Sequence, residues 1–226
     1  MSLFGRLKEA LRRRRLSKRT PEQIFSTYAR TNKWGDEASL SGKGSNLEAT
    51  AELRRILPDL LRNLGATSLL DVPCGDFFWM AHVDLEGIDY TGGDIVPELI
   101  ESNRARHSRP GRRFEVIDLI RGPVPAADVI FVRDCLVHLS NAHVEAALHN
   151  IAVSGGKWLL TTTFPQSGRN DDIATGQWRA VDLTRAPFSL PAPERLVAEG
   201  QAFSKGQAED KMLGLWSIDL LKKRFA

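Results

Sequence analysis

Two carboxylates, Asp71 and Asp94, close neighbouring apolar runs and flank a glycine-containing turn. The first run, Ser68-Leu69-Leu70-Asp71, passes directly into Val72-Pro73-Cys74-Gly75-Asp76. The second closes at Tyr90-Thr91-Gly92-Gly93-Asp94, twenty-three residues beyond Asp71. A tight turn lets backbone N–H groups approach a ligand closely. An acid about 20 residues further on can accept hydrogen bonds from both ribose hydroxyls. The chemistry implied is the binding of a nucleoside cofactor across the carboxyl ends of two parallel strands.

The turn also selects among such cofactors. A dinucleotide fingerprint needs G-x-G-x-x-G, and of its glycines only Gly75 is present here. Pro73 has no N–H to offer a pyrophosphate, and Asp76 places a negative charge where phosphates would lie. A cofactor without phosphates is preferred, and S-adenosylmethionine (SAM) fits.

Leu70-Asp71-Val72-Pro73-Cys74-Gly75-Asp76 resembles motif I of the class I SAM-dependent methyltransferases, usually written D-x-G-C-G-x-G. Tyr90-Thr91-Gly92-Gly93-Asp94-Ile95 is similar to motif II, and Val129-Ile130-Phe131-Val132-Arg133-Asp134 to motif IV. Phe114-Glu115-Val116-Ile117-Asp118-Leu119 resembles the third-strand segment, and Trp158-Leu159-Leu160-Thr161-Thr162 the fifth strand. The resemblance covers roughly residues 65–220, with Pro73 and Phe77 standing where two glycines are usual. It implies that Asp71 holds the ammonium of the methionine part, Asp94 the ribose and Asp118 the adenine amino group. The expected cofactor set is Asp71, Pro73, Cys74, Gly75, Asp76, Phe78, Trp79, Asp94, Ile95, Asp118, Leu119 and Arg133. The aromatic run 77–79 reads either as faces for the adenine or sulfonium or as packing at a helix start.

Methyl transfer from a sulfonium is an in-line displacement with a neutral leaving group, so proximity and alignment dominate. An amine or hydroxyl acceptor must still lose a proton to a base near the methyl. His138 and Asp134, at the mouth of the fourth strand, are the candidates for catalysis, with Asp134 read either as the base or as the anchor of a substrate hydroxyl. A structural histidine is the plainer alternative. Asp134 with Asn170-Asp171-Asp172 offers oxygen donors for magnesium, but Asn-Asp-Asp is also an ordinary cap, and no metal is expected. Acceptor contacts are expected from Trp34, Trp178 and Arg179, the last two in a long proline-bearing stretch after strand five.

Alternating strand and helix patterns must position these groups. Thr20-Pro21-Glu22-Gln23 is a capping box opening a helix to about Arg30, and Ser45-Asn46-Leu47-Glu48 reads as a second one. The helix after it ends at Gly65, with Pro58 predicting a kink. Val96-Pro97-Glu98 and Ser140 begin two further helices. The segment 211–218 reads as a strand with no helix after it, and the resemblance makes it an antiparallel seventh strand between the fifth and sixth. Gly42-Lys43-Gly44-Ser45 is not a phosphate loop, because Gly follows Lys and no strand precedes it. The glycine- and serine-rich segment 32–45 reads as a lid, or as a surface loop with Trp34 buried. A similar N-K-W-G…S-G-x-G-S stretch occurs in a branch of small bacterial methyltransferases, where it folds over the cofactor pocket. The expected architecture is α/β: a doubly wound, mostly parallel seven-stranded, Rossmann-like sheet with an N-terminal helical extension. Residues 1–19 form a basic leader, 20–64 helices and lid, and 65–226 the SAM-binding catalytic domain.

With 226 residues and 42% hydrophobic content, a single core of ordinary size is expected. Two cysteines, Cys74 and Cys135, support neither a zinc site nor a disulfide framework and read as structural. Neither a long apolar run nor a signal-peptide pattern occurs, so the expectation is cytoplasmic. The leader carries eight basic residues and one acid, so the remaining chain is net −4 against +3 overall. A body without net positive charge argues against nucleic acid as a partner. Leu3, Phe4, Leu7 and Leu11 recur at helical spacing in the leader. It reads as an amphipathic helix docking peripherally on the inner membrane or a partner, or as a solvated terminus. The reading is a SAM-dependent methyltransferase acting on oxygen of a small polar acceptor, such as a sugar or a glycan or natural-product precursor. Alternatives are N-methylation of a small amine or protein side chain, and a non-catalytic SAM-binding regulator.

Overall fold

The computed structural model describes residues 3–199 and 210–225. Among these, strands β1 (Ser68–Asp71), β2 (Asp89–Asp94), β3 (Arg112–Val116), β4 (Val129–Val132), β5 (Trp158–Thr163), β6 (Arg195–Ala198) and β7 (Met212–Ser217) form one sheet. Its order is β3-β2-β1-β4-β5-β7-β6. Strands β1 to β5 pair in parallel, while β7 runs antiparallel to both β5 and β6. The doubly wound sheet expected from sequence is therefore present, with β7 inserted where it was expected.

Alternation along the strands explains why both faces are covered. In β4, Ile130 and Val132 join one apolar cluster while Val129 and Phe131 join the other. Helices α5 (Asn141–Ala152) and α6 (Ile218–Phe225) pack into the first. The second takes Leu53, Leu57, Leu60 and Leu61 from α3 (Ala51–Asn63) and Ile100 from α4 (Pro97–His107). Helices α1 (Leu3–Leu16) and α2 (Pro21–Arg30) add a small third cluster around Leu16, Ile24 and Tyr28.

The Thr20 capping box forms as expected, with Gln23 N–H on the threonine hydroxyl and the Gln23 side chain returning to Thr20 N–H. Ser140 likewise caps α5. The second capping box does not form. Asn46 Oδ1 instead accepts from Ala49 N–H at 2.9 Å, and the Thr50 hydroxyl donates to Asn46 O at 2.7 Å. These local bonds turn the chain and delay α3 to Ala51, a competition typical of Asn and Thr side chains. Helix α3 then runs unbroken through the buried Pro58. Strand β7 is followed by α6, which sequence reading missed.

The leader forms helix α1, with Arg12 to Arg15 and Leu11 exposed. The side chains of Leu3, Phe4 and Leu7, on which the amphipathic reading rests, lie outside the described residues. Among the described residues, no helix is long and apolar enough to cross a membrane.

Truncating Leu57, fully buried under the sheet, is expected to cost about 2–5 kcal/mol. The same change at exposed Leu11 should stay within about 0.5 kcal/mol. Urea denaturation of the two alanine variants checks this, and equal small losses would deny α3 its role in the core.

Candidate functional site

The strand order reverses between β2-β1 and β4-β5, and a cavity of about 350 Å³ opens at the carboxyl ends of these strands. This is where an open α/β sheet offers a crevice for ligands. Asp71 ends β1, Asp94 ends β2, and Arg133 and Asp134 follow β4, so strand register delivers all four to one place.

Asp71 is buried and accepts a 2.6 Å hydrogen bond from the Tyr90 hydroxyl. Burial pushes its carboxyl up to about 7, against the opposing pull of Tyr90 and Arg133. Asp94 is raised to about 6, again chiefly by burial. Its oxygens accept from Gly75 N–H at 3.0 Å and Val96 N–H at 2.9 Å. Two desolvated carboxylates on one cavity wall favour a ligand that brings positive charge and hydroxyl donors.

Pro73, Cys74, Gly75, Trp79, Ile95, Asp118, Leu119 and Arg133 also line this cavity. Asp118 accepts from Ile120 N–H at 2.8 Å, which holds its turn in place. The cysteines are free, and burial raises Cys74 above its ordinary range and Cys135 to about 12. Both thiols are therefore held in the protonated form at neutral pH.

Two residues of the expected cofactor set lie elsewhere. Phe78 lines a second, separate depression beside Asp76 and His82. Asp76 faces that side too, and its carboxylate hydrogen-bonds to the 32–45 segment. It accepts from Leu40 N–H at 2.8 Å, Ser39 Oγ at 3.1 Å and Ser41 Oγ at 3.4 Å. The contact is close enough that a Cβ on Gly75 would overlap Ser41 Oγ. Leu40 through Ser45 thus form one wall of the cavity.

The far end of the cavity holds a charged cluster. Arg133 Nε donates to Glu199 Oε2 at 2.6 Å, and an Nη2 hydrogen reaches Gly44 O at 2.9 Å. Lys211 Nζ lies 2.7 Å from Asp134 Oδ2 and 3.3 Å from Glu199 Oε2. Lys211 and Arg133 hold the Asp134 carboxyl well below the usual range despite its burial. Asp134 also has φ +52, a left-handed conformation uncommon outside glycine. Ion pairs to Lys211 and Arg133 thus fix this carboxylate at the end of the cavity.

His138 reaches the same end of the cavity. Its Nδ1 lies 2.9 Å from Gln177 O. A carbonyl only accepts, so Nδ1 carries the proton and Nε2 keeps a free lone pair. Burial lowers the imidazole pKa, with Arg179 adding to the drop and the Gln177 contact and Asp134 opposing it. Neutral His138 thus has the protonation state a general base requires.

Aromatic side chains complete this end. Trp34 packs on the His138 ring at 5.8 Å and beside Phe25 at 6.5 Å, while Phe164 meets Trp178 edge to face at 6.1 Å. All four line the cavity. Arg179 does not, contrary to expectation. It is buried and donates to Leu136 O at 3.2 Å and Asn141 Oδ1 at 2.8 Å, bracing the turn that carries His138. Nor does the 170–172 segment join Asp134. Asn170 holds Asp182 O, and Asp172 Oδ1 accepts from Asn141 N–H at the start of α5. Among the described residues, no group of His, Cys, Asp and Glu is arranged to hold a metal.

Phe25, Phe164, Lys211 and Glu199 were missed in the sequence. Phe25 sits in the well-capped α2, where an aromatic reads as packing. Lys211 and Glu199 reach Asp134 and Arg133 from 77 and 66 residues away, so no local spacing announces them.

No protein-family model matches this chain, and no curated protein matches it in sequence. Solved structures do match in fold. Human N-acetylserotonin methyltransferase, solved in complex with SAM, superimposes with a TM-score of 0.51 at 14% identity, over 83% of this chain and 61% of that one. A Burkholderia thailandensis 1,6-didemethyltoxoflavin-N1-methyltransferase, solved with 1,6-didemethyltoxoflavin and S-adenosylhomocysteine, gives 0.53 at 18% identity over 75% and 79%. The mitomycin 7-O-methyltransferase MmcR gives 0.50 at 17% identity, over 77% and 59%. The sheet is that of the class I methyltransferase, Rossmann-like α/β fold. This chain spans less than two thirds of the length of the human enzyme and of MmcR.

The raised carboxyl of Asp71 makes a signed prediction. A carboxyl raised on folding contributes stability at low pH that is lost as pH rises through its folded value, here about 7. Between pH 5 and pH 8 the wild type should lose about 2–3 kcal/mol relative to Asp71→Asn. Parallel urea titrations at the two pH values check this, and a constant difference would contradict it. For the 32–45 segment, Asp76→Ala is expected to increase protease cleavage there at least several-fold with little change in global unfolding. Unaltered cleavage would show that Asp76 does not hold the segment.

Proposed function

We propose that this protein is a SAM-dependent methyltransferase transferring a methyl group to an oxygen of a small polar acceptor, a sugar or a glycan or natural-product precursor. The observation that carries the reading is the pair of buried carboxylates, Asp71 and Asp94, on one wall of the cavity beside the Gly75 turn. An adenosyl ligand bearing an ammonium and a sulfonium supplies the positive charge and hydroxyl donors that such a wall lacks. When bound, SAM supplies an electrophilic methyl on positively charged sulfur. The likeness in fold to proteins solved with SAM or S-adenosylhomocysteine supports the same ligand.

The residues divide the work. Asp71 faces the ammonium and Asp94 the ribose hydroxyls, with Ile95, Asp118 and Leu119 around the adenine. The 40–45 wall excludes water, which strengthens the charge interactions inside. Trp34 and Trp178 contact the acceptor ring, Asp134 anchors one of its hydroxyls, and His138 Nε2 takes the proton from the attacking oxygen. An acceptor of this size suits a cavity whose remaining walls are aromatic and aliphatic side chains.

Calorimetric titration with SAM and S-adenosylhomocysteine tests the cofactor, and Asp94→Ala is expected to abolish binding of both. Turnover against glycosides, nucleotide sugars and amines tests the chemistry. His138→Ala should lower kcat by on the order of 10²-fold or more without weakening SAM binding. Turnover unchanged by that substitution would remove His138 from the reaction. Binding without turnover on any acceptor would favour a SAM-binding regulator.

A further inference from the structure

Helix α2 lies outside the sheet, yet one of its side chains reaches the segment that holds His138. The Tyr28 hydroxyl donates to Gly176 O at 2.8 Å, across 148 residues of chain. Gly176 N–H donates to His138 O at 2.8 Å, and the next carbonyl, Gln177 O, accepts from His138 Nδ1. Tyr28 also meets Trp34 edge to face at 5.5 Å, and Trp34 in turn packs on the His138 ring. The junction has no slack. Gly176 has φ +95, and a Cβ there would stand 2.7 Å from Ile24 Cγ2 and 3.1 Å from Tyr28 Oη. Tyr28 itself is buried and does not line the cavity.

We propose that Tyr28 is a positioning residue, whose hydroxyl seats residues 176–177 so that the Gln177 carbonyl keeps the His138 proton on Nδ1. The tautomer of a histidine is set by the hydrogen bond that its other nitrogen makes. A carbonyl displaced from Nδ1 would let the proton move to Nε2, and Nε2 would then have no lone pair for an incoming hydroxyl proton. The hydroxyl of Tyr28 is a hydrogen-bonded link between the N-terminal helices and that choice. Its catalytic meaning rests on the methyl-transfer reading above, but the tautomer is a property of the protein without acceptor. The helical extension then belongs to the machinery of the base and is more than a cover over the cavity.

Nitrogen-15 NMR of imidazole-labelled protein at pH 7.5 reads the tautomer directly, with His138 assigned by comparison with His138→Gln. In the wild type, Nδ1 is expected to be protonated and Nε2 unprotonated. In Tyr28→Phe, which keeps the ring, both shifts should move toward an average of the two tautomers, with S-adenosylhomocysteine affinity unchanged within about two-fold. Gly176→Ala displaces the same segment while leaving the hydroxyl in place, and should produce the same averaging if Tyr28→Phe fails to fold. Wild-type His138 shifts in folded Tyr28→Phe would overturn the proposal, even with a lowered Tm. A wild type that fails to bind S-adenosylhomocysteine would instead count against the cofactor reading and leave the tautomer result intact.

Discussion

Burial of two carboxylates side by side is the constraint on which the rest of this structure depends. Desolvating an ionised carboxylate is costly unless hydrogen bonds or positive charge offset it. Asp71 has one Tyr90 hydroxyl and the field of Arg133, while Asp94 has the Gly75 and Val96 N–H groups, and burial still outweighs both sets. Carboxyls perturbed by burial in a cleft are a recognised mark of function. The β1 and β2 ends, the Gly75 turn and the cavity wall are all arranged around that deficit.

The second organising feature is a set of contacts that converge from distant parts of the chain. Asp76 holds the 39–41 turn, Arg133 joins Gly44 O to Glu199, and Lys211 joins Glu199 to Asp134. These bonds bring the 32–45 segment, the end of β4 and the approach to β7 to one rim. Buried ion pairs of this kind give little net stability, but they specify one arrangement where partners are few. Here that arrangement encloses the space between the carboxylate wall and His138.

Much of this was legible in sequence because local rules and global fold agree. Short apolar runs announced the strands, the Thr20 and Ser140 caps announced two helices, and Asp71 and Asp94 stood where their strands end. Reading failed where several side chains competed for the same backbone, as at Ser45 and Asn46, and at α6, too short for a clear period. It also failed at roles decided by distant partners. Asp76 looked like a ligand contact and Arg179 like an anion fork, yet each is occupied by protein groups that no spacing reveals. Asp134 read as a base or a hydroxyl anchor, and its partner Lys211 comes from 77 residues away.

A crystal structure of the protein grown with S-adenosylhomocysteine tests the central claim most directly. The account requires the adenosyl group to fill the crevice at the ends of β1 and β2, with ribose hydroxyls on Asp94 and the ammonium facing Asp71. Density for the ligand outside that crevice, or both carboxylates free of contact with it, would contradict the account.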